Sequence, residues 1–158
     1  MNVKSEVRSG GCQCGQVRYT VRGDPIKIYA CHCSICQKQS GSAFGMAAVY
    51  ARAAFALTKG EASSFVRDGT ARKVRNYFCA NCGARLWHQW FTPDGDSPVV
   101  NIKPGTLDDS SWLTPGCHVW TRHAQPWFRF PDNALRFEEQ PADLAEMPNY
   151  AHSPGGGR

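Results

Sequence analysis

Seven of the eight cysteines fall into three short clusters: Cys12-Gln13-Cys14-Gly15, Cys31-His32-Cys33-Ser34-Ile35-Cys36 and Cys79-Ala80-Asn81-Cys82-Gly83. Only Cys117 stands apart, and it reads as a small buried apolar residue. A C-x-C pair can offer two thiolates from one extended face and a C-x-x-C turn two from a knuckle, with the following glycine supplying the positive φ such turns want. Eight cysteines in 158 residues is about 5%, below the roughly 8–10% of short secreted disulfide scaffolds. Residues 1–11 carry no apolar leader core. The expected setting is therefore the reducing cytoplasm, where clustered cysteines serve as metal ligands or redox groups. Four disulfides would also require strained C-x-C rings.

Ligand counting divides the seven sulfurs. Structural zinc takes four protein ligands, whereas catalytic zinc takes three and keeps one position open. Cys12 and Cys14 with Cys79 and Cys82 make a closed four-thiolate site, and Cys31, Cys33 and Cys36 make an open one. If the trio borrowed a ligand from a pair instead, a broken pair would be left behind. Iron is the rival metal, because four-thiolate knuckles hold it too. His32 lies between two ligating cysteines and points to the opposite side if that segment is extended, as a surface imidazole or as support for the ligands. At the open site a substrate thiol is a natural fourth ligand. A free thiol is about 3% ionised at pH 7, so full deprotonation gains at most about 30-fold, or about 2 kcal/mol, and positioning must supply the rest.

The rest of the chain reads as β. Residues 16–22 alternate polar and apolar, and Gly23-Asp24-Pro25 turns the chain into a second strand at 26–29. Further strands are expected at 45–50, 55–57, 63–66, 74–78, 85–90, 99–102 and 118–121. Helix is expected only at 107–113, after Thr106 as N-cap, and at 142–147. Short strands separated by turns argue for a sandwich, barrel or curled-sheet arrangement. One domain is expected over 1–140, with 141–158 a poorly ordered tail ending in Ser-Pro-Gly-Gly-Gly-Arg. No stretch approaches the ~18 apolar residues of a membrane span.

The chain resembles the glutathione-dependent formaldehyde-activating enzyme family, whose domain is shared with centromere protein V. The resemblance runs through the three cysteine clusters, Gln37-Lys38, Gly41-Ser42-Ala43-Phe44, Gly105-Thr106-Leu107-Asp108-Asp109, His118-Val119-Trp120 and Pro126-Trp127, ending near Phe137. It implies an all-β fold of the β-tent type with twisted, curled antiparallel sheets. It also implies two zinc ions per chain, a structural one on Cys12, Cys14, Cys79 and Cys82 and a catalytic one on Cys31, Cys33 and Cys36. The implied reaction is condensation of glutathione with formaldehyde to S-hydroxymethylglutathione, a carbon–sulfur lyase reaction run toward bond formation, and no protein nucleophile is needed.

Two rival readings differ in class. In one, a fourth protein ligand closes the trio and leaves a zinc-stabilised module that binds protein or chromatin. In the other, the trio is a redox sensor that loses zinc on oxidation. The net charge of +5 is concentrated in residues 1–90, which hold 13 basic and 4 acidic groups. That favours an anionic ligand but falls short of the dense basic stripe of a nucleic-acid binder. Lys38, Arg52, Arg72, Arg75 and Arg85 are the candidate cations for a substrate carboxylate. His118 is read either as a general base or as a packed, hydrogen-bonded histidine. The five tryptophans read mainly as core.

Overall fold

A computed structural model describes residues 6–69 and 72–151. The chain is mostly strand. A small sheet joins β1 (Val7–Gly11), β2 (Arg18–Arg22) and β5 (Phe55–Lys59) in the order β1-β2-β5. The other strands are β3 (Lys27–Cys31), β4 (Gly45–Ala51), β6 (Ser63–Asp68), β7 (Lys73–Phe78), β8 (Arg85–Thr92), β9 (Gly95–Asp96), β10 (Val99–Ile102), β11 (Cys117–Val119) and β12 (Leu135–Arg136). They form one large sheet in the order β12-β11-β3-β4-β10-β8-β7-β6, with β9 attached to β8.

The core lies between these sheets. The alternation read in residues 16–22 puts Tyr19 and Val21 of β2 inward, fully buried, against Tyr50 of β4, Leu86 of β8 and Val100 and Ile102 of β10. The Trp87 ring sits 4.9 Å from that of Phe55 and 4.7 Å from that of Tyr77. Burial of such large rings is the main favourable contribution in a small β domain.

The fold departs from the expectations in particular places. The sheets are not purely antiparallel, because β11 pairs parallel with both β3 and β12. β1 lacks apolar alternation and becomes a strand by pairing with β2. The helix expected at 107–113 does not form. Thr106 donates its hydroxyl to the Lys103 carbonyl (2.7 Å) and shares a hydrogen bond with the Tyr19 hydroxyl (2.7 Å) instead of capping a helix. Leu107 bridges to Gly10, Asp108 pairs with Arg18, and Asp109 accepts from the Ser111 N–H (2.9 Å) in a turn. The segment is thereby tied to the first hairpin. At 142–147 only a 3-10 turn appears, at Leu144–Glu146, capped by Asp143.

The one α-helix among the described residues, α1 (Ser34–Ser40), has no buried residue and therefore no apolar periodicity to read. A helix this short is marginal alone. Its ends hold it: Cys33 is the N-cap, its sulfur accepting the Cys36 N–H, and Gly41 closes it in the left-handed conformation. In the C-terminal segment Met147 is buried and Tyr150 packs on Trp112. Residues 152–158 of the expected tail lie outside the described residues. No helix among the described residues is long and apolar enough to cross a membrane.

Candidate metal centres

Two turns face each other to make the larger sulfur cluster. The first joins β1 to β2 and carries Cys12 and Cys14; the second joins β7 to β8 and carries Cys79 and Cys82. Both are built alike. The Gly15 N–H donates to the Cys12 carbonyl (3.1 Å) and the Gly83 N–H to that of Cys79 (2.8 Å), and both glycines sit at positive φ (75° and 73°). Each turn is closed at its neck by the leading cysteine's N–H, from Cys12 to Val17 O and from Cys79 to Ala84 O, both 3.0 Å.

The four sulfurs lie within 4.8 Å of one another. The Cys12–Cys14 and Cys14–Cys79 sulfur separations are 3.5 and 3.7 Å. A tetrahedron with zinc–sulfur bonds of about 2.3 Å has edges of about 3.8 Å, so the donor set fits a zinc ion. Burial opposes ionisation of Cys12, yet the Val17 N–H and the neighbouring sulfurs outweigh it and hold the thiol down at about 6. The ligand position is thus prepared for a thiolate.

The second cluster is a trio. Cys31 ends β3, Cys33 caps α1, and Cys36 lies in the first turn of α1. Their sulfurs also fall within 4.8 Å of one another, and among the described residues no histidine, aspartate or glutamate completes the group. Three soft donors with no fourth from the protein fit a zinc ion with an open position. The sulfurs of Cys31 and Cys36 stabilise a Cys33 thiolate, pushing it down to about 2, and the same sharing pushes the Cys31 thiol up.

His32 turns away from the trio. Its Nε2 lies 2.9 Å from His118 Nδ1, and both rings are buried. Phe44, Phe128 and Phe130 surround the His32 ring at centroid distances of 5.2, 5.0 and 5.2 Å. Burial lowers both imidazoles, His32 to about 4, so each is neutral at pH 7, one nitrogen of the pair donating and the other accepting. Gln37 Nε2 donates to the His32 carbonyl (2.7 Å) and to that of His123 (2.9 Å). The loop carrying the sulfurs is therefore held from behind by the histidine pair and from the side by Gln37.

Two cavities open on the trio. One, of about 140 Å³, is lined by all three cysteines and by Met46, Arg67, His88, Lys103 and Trp120 among others. The other, of about 490 Å³, runs from Cys36 past Phe44, Arg85 and Lys103 to Cys82 at the edge of the four-sulfur cluster. Arg85 Nη2 donates to Asn76 Oδ1 (2.8 Å) and Gln39 Oε1 (3.1 Å), which fixes its plane.

Comparison with known proteins agrees with this arrangement. The profile of the family described as glutathione-dependent formaldehyde-activating enzyme matches residues 7–123, a span that includes both sulfur clusters. The chain belongs to this family. Relatives with that provisional name come from Emericella nidulans (30% identity over 48% of this chain), Penicillium rubens (33% over 48%) and Colletotrichum graminicola (26% over 66%). The matches cover 38%, 39% and 54% of those longer proteins. A crystal structure of a Rhodobacter sphaeroides protein shares the fold, with a TM-score of 0.50 at 20% identity over 68% of this chain and 91% of that one.

Of the family segments read in the sequence, His118 is the packed partner of His32 and lines neither cavity. Of the five candidate cations only Arg85 lines a cavity at the trio. Arg52 reaches the Phe55 carbonyl, while Arg72 and Arg75 stack on Trp90 and Phe91 at 4.2 and 4.8 Å. Sequence reasoning missed Arg67, His88 and Lys103. One signal was available for β10, where Asn101 is the one polar residue in an apolar run, and the register places it in one row with His88 of β8 and Asn76 of β7. Lys103 directly follows β10, whose Val100, Asn101 and Ile102 are all buried. Both faces of that strand are covered, so a lysine next to it is held half-buried.

Proposed function

We propose that this chain is a zinc-dependent carbon–sulfur lyase that joins glutathione to formaldehyde reversibly, giving S-hydroxymethylglutathione. The observation that carries this reading is the sulfur trio, which has no fourth protein ligand among the described residues and faces two cavities. Bound by Cys31, Cys33 and Cys36, a zinc ion supplies a Lewis-acid position that favours the ionised form of a thiol. A second zinc on Cys12, Cys14, Cys79 and Cys82 would tie the first hairpin to the β7–β8 turn and act in folding alone.

The chain's own residues orient the reactants and exclude water. Met46 and Trp120 give the smaller cavity apolar wall beside the sulfurs, and Arg67 and Lys103 offset the negative charge gathered there. In the reaction the thiol sulfur bonds to the aldehyde carbon, the carbonyl π bond breaks onto oxygen, and the thiol proton ends on that oxygen. No cysteine of the protein is consumed. The reducing cytoplasm is the setting in which eight free thiols and a glutathione substrate coexist.

The test is to mix zinc-loaded protein with glutathione and formaldehyde and follow adduct formation against the uncatalysed reaction. A protein-dependent rate that disappears in Cys33→Ser supports the reading. A rate indifferent to protein, repeated with several thiols, rejects it.

A further inference from the structure

Three cations converge beside the sulfur trio without a carboxylate partner among the described residues. They come from different strands: Arg67 from β6, Arg85 from β8, and Lys103 from the residue after β10. Lys103 lines both cavities, Arg85 the larger and Arg67 the smaller. Among the described residues none of the three enters an ion pair, and neither cavity has an aspartate or glutamate in its wall. All three residues are half-buried, and drawing positive charge out of water without a partner is costly. The Nε atoms of Arg67 and Arg85 and the Nδ1 of His88 are also buried with no hydrogen-bond partner.

The trio answers only part of this charge. Three thiolates with one divalent ion amount to about one negative charge, which leaves about two positive charges unmatched. A glutathione molecule ionised at its thiol carries two carboxylates and one ammonium, about two negative charges in all. The sizes agree as well. The larger cavity, about 490 Å³, lies within the roughly 300–1,000 Å³ of small-molecule sites. The smaller, about 140 Å³, is too small for a tripeptide and suits a one-carbon aldehyde.

We propose that Lys103 and Arg85 bind the carboxylates of a peptide thiol lying in the larger cavity, while Arg67 adds positive charge in the smaller cavity beside the sulfurs. This deepens the function proposed above and rests on its placing of the substrate thiol at the trio. The cations would fix which thiols are accepted: those carrying carboxylates at tripeptide reach, and not small neutral thiols.

S-methylglutathione keeps both carboxylates but has no free thiol, so its binding is independent of the reaction. Titrated calorimetrically into the zinc-loaded full chain, it should bind roughly tenfold more weakly to Lys103→Gln and to Arg85→Gln than to the unaltered protein. Its dimethyl ester should bind the unaltered protein at least about tenfold more weakly than the acid and lose nothing further in either variant. Arg75→Gln, outside both cavities, should match the unaltered protein. Zinc content and circular dichroism establish that each variant is folded. Equal losses for acid and ester, or no measurable binding of the acid, would overturn the anchor whether or not glutathione and formaldehyde are turned over. Charge-dependent binding without turnover would support the anchor and reject the reaction.

Discussion

The two sulfur clusters are made from the same atoms and behave as opposites. The quartet sits on two turns of matching construction, each closed by its own backbone hydrogen bonds and each with a glycine at positive φ. Its four sulfurs lie within 4.8 Å of one another. The trio sits where a strand end meets a short helix, is braced by a buried histidine pair and Gln37, and faces cavities lined with cations. The contrast is one of saturation: four sulfurs suffice to fill the sphere of a tetrahedral metal, whereas three leave a position for a further ligand.

The sharpest way to break that contrast is to remove one sulfur from each cluster. Cys79→Ser should drop zinc content from two per chain to about one and lower the thermal midpoint by about 10 °C or more. Metal analysis with calorimetry checks it. Cys33→Ser should also lose one zinc but keep near-native circular dichroism, while adduct formation falls about 100-fold or more, to the uncatalysed rate. If Cys33→Ser unfolds and Cys79→Ser does not, the roles are reversed.

A smaller effect probes the bracing of the trio. His118→Leu leaves the buried His32 Nε2 unpartnered and should cost about 1–3 kcal/mol in urea denaturation, with two zinc ions retained. A loss of zinc instead would mean that the pair shapes the metal site directly.

The pH dependence is smaller still. Burial holds His118 below the ordinary histidine value near 6.5. Over that interval the unfolded chain binds more protons than the folded one, so stability rises with pH there. The contribution is fully present above about pH 6.5 and is lost as pH falls through the folded value. For this one group the slope cannot exceed about 1.4 kcal/mol per pH unit, and that share should be missing in His118→Leu, while the share of His32, which burial also lowers, remains. Parallel urea titrations of the two proteins between pH 5 and 7 measure it.

Legibility followed the range of the physics. β2 could be read because alternating burial is written into consecutive residues, and β4 and β10 because they are short, largely apolar runs. β1 and α1 could not. The first is a strand only because β2 offers a pairing edge, and the second buries no residue and is held by its caps. The expected helix at 107–113 gave way to tertiary contacts, since Tyr19, Gly10 and Arg18 engage Thr106, Leu107 and Asp108 one by one.

From the chain alone came the donor chemistry: which side chains are thiols, how closely they are spaced, and that seven sulfurs suffice for one full and one open coordination sphere. These are local and compositional properties that survive any folding. Only the tertiary structure decided what surrounds the sulfur trio. Arg67, Arg85 and Lys103 are separated by 18 residues each (67 to 85, 85 to 103), and strand pairing alone brings them to the same sulfurs. His32 and His118 meet through the parallel pairing of β11 with β3. Spacing along the sequence carries no record of such encounters, because long-range contacts are set by how sheets assemble and not by neighbouring residues.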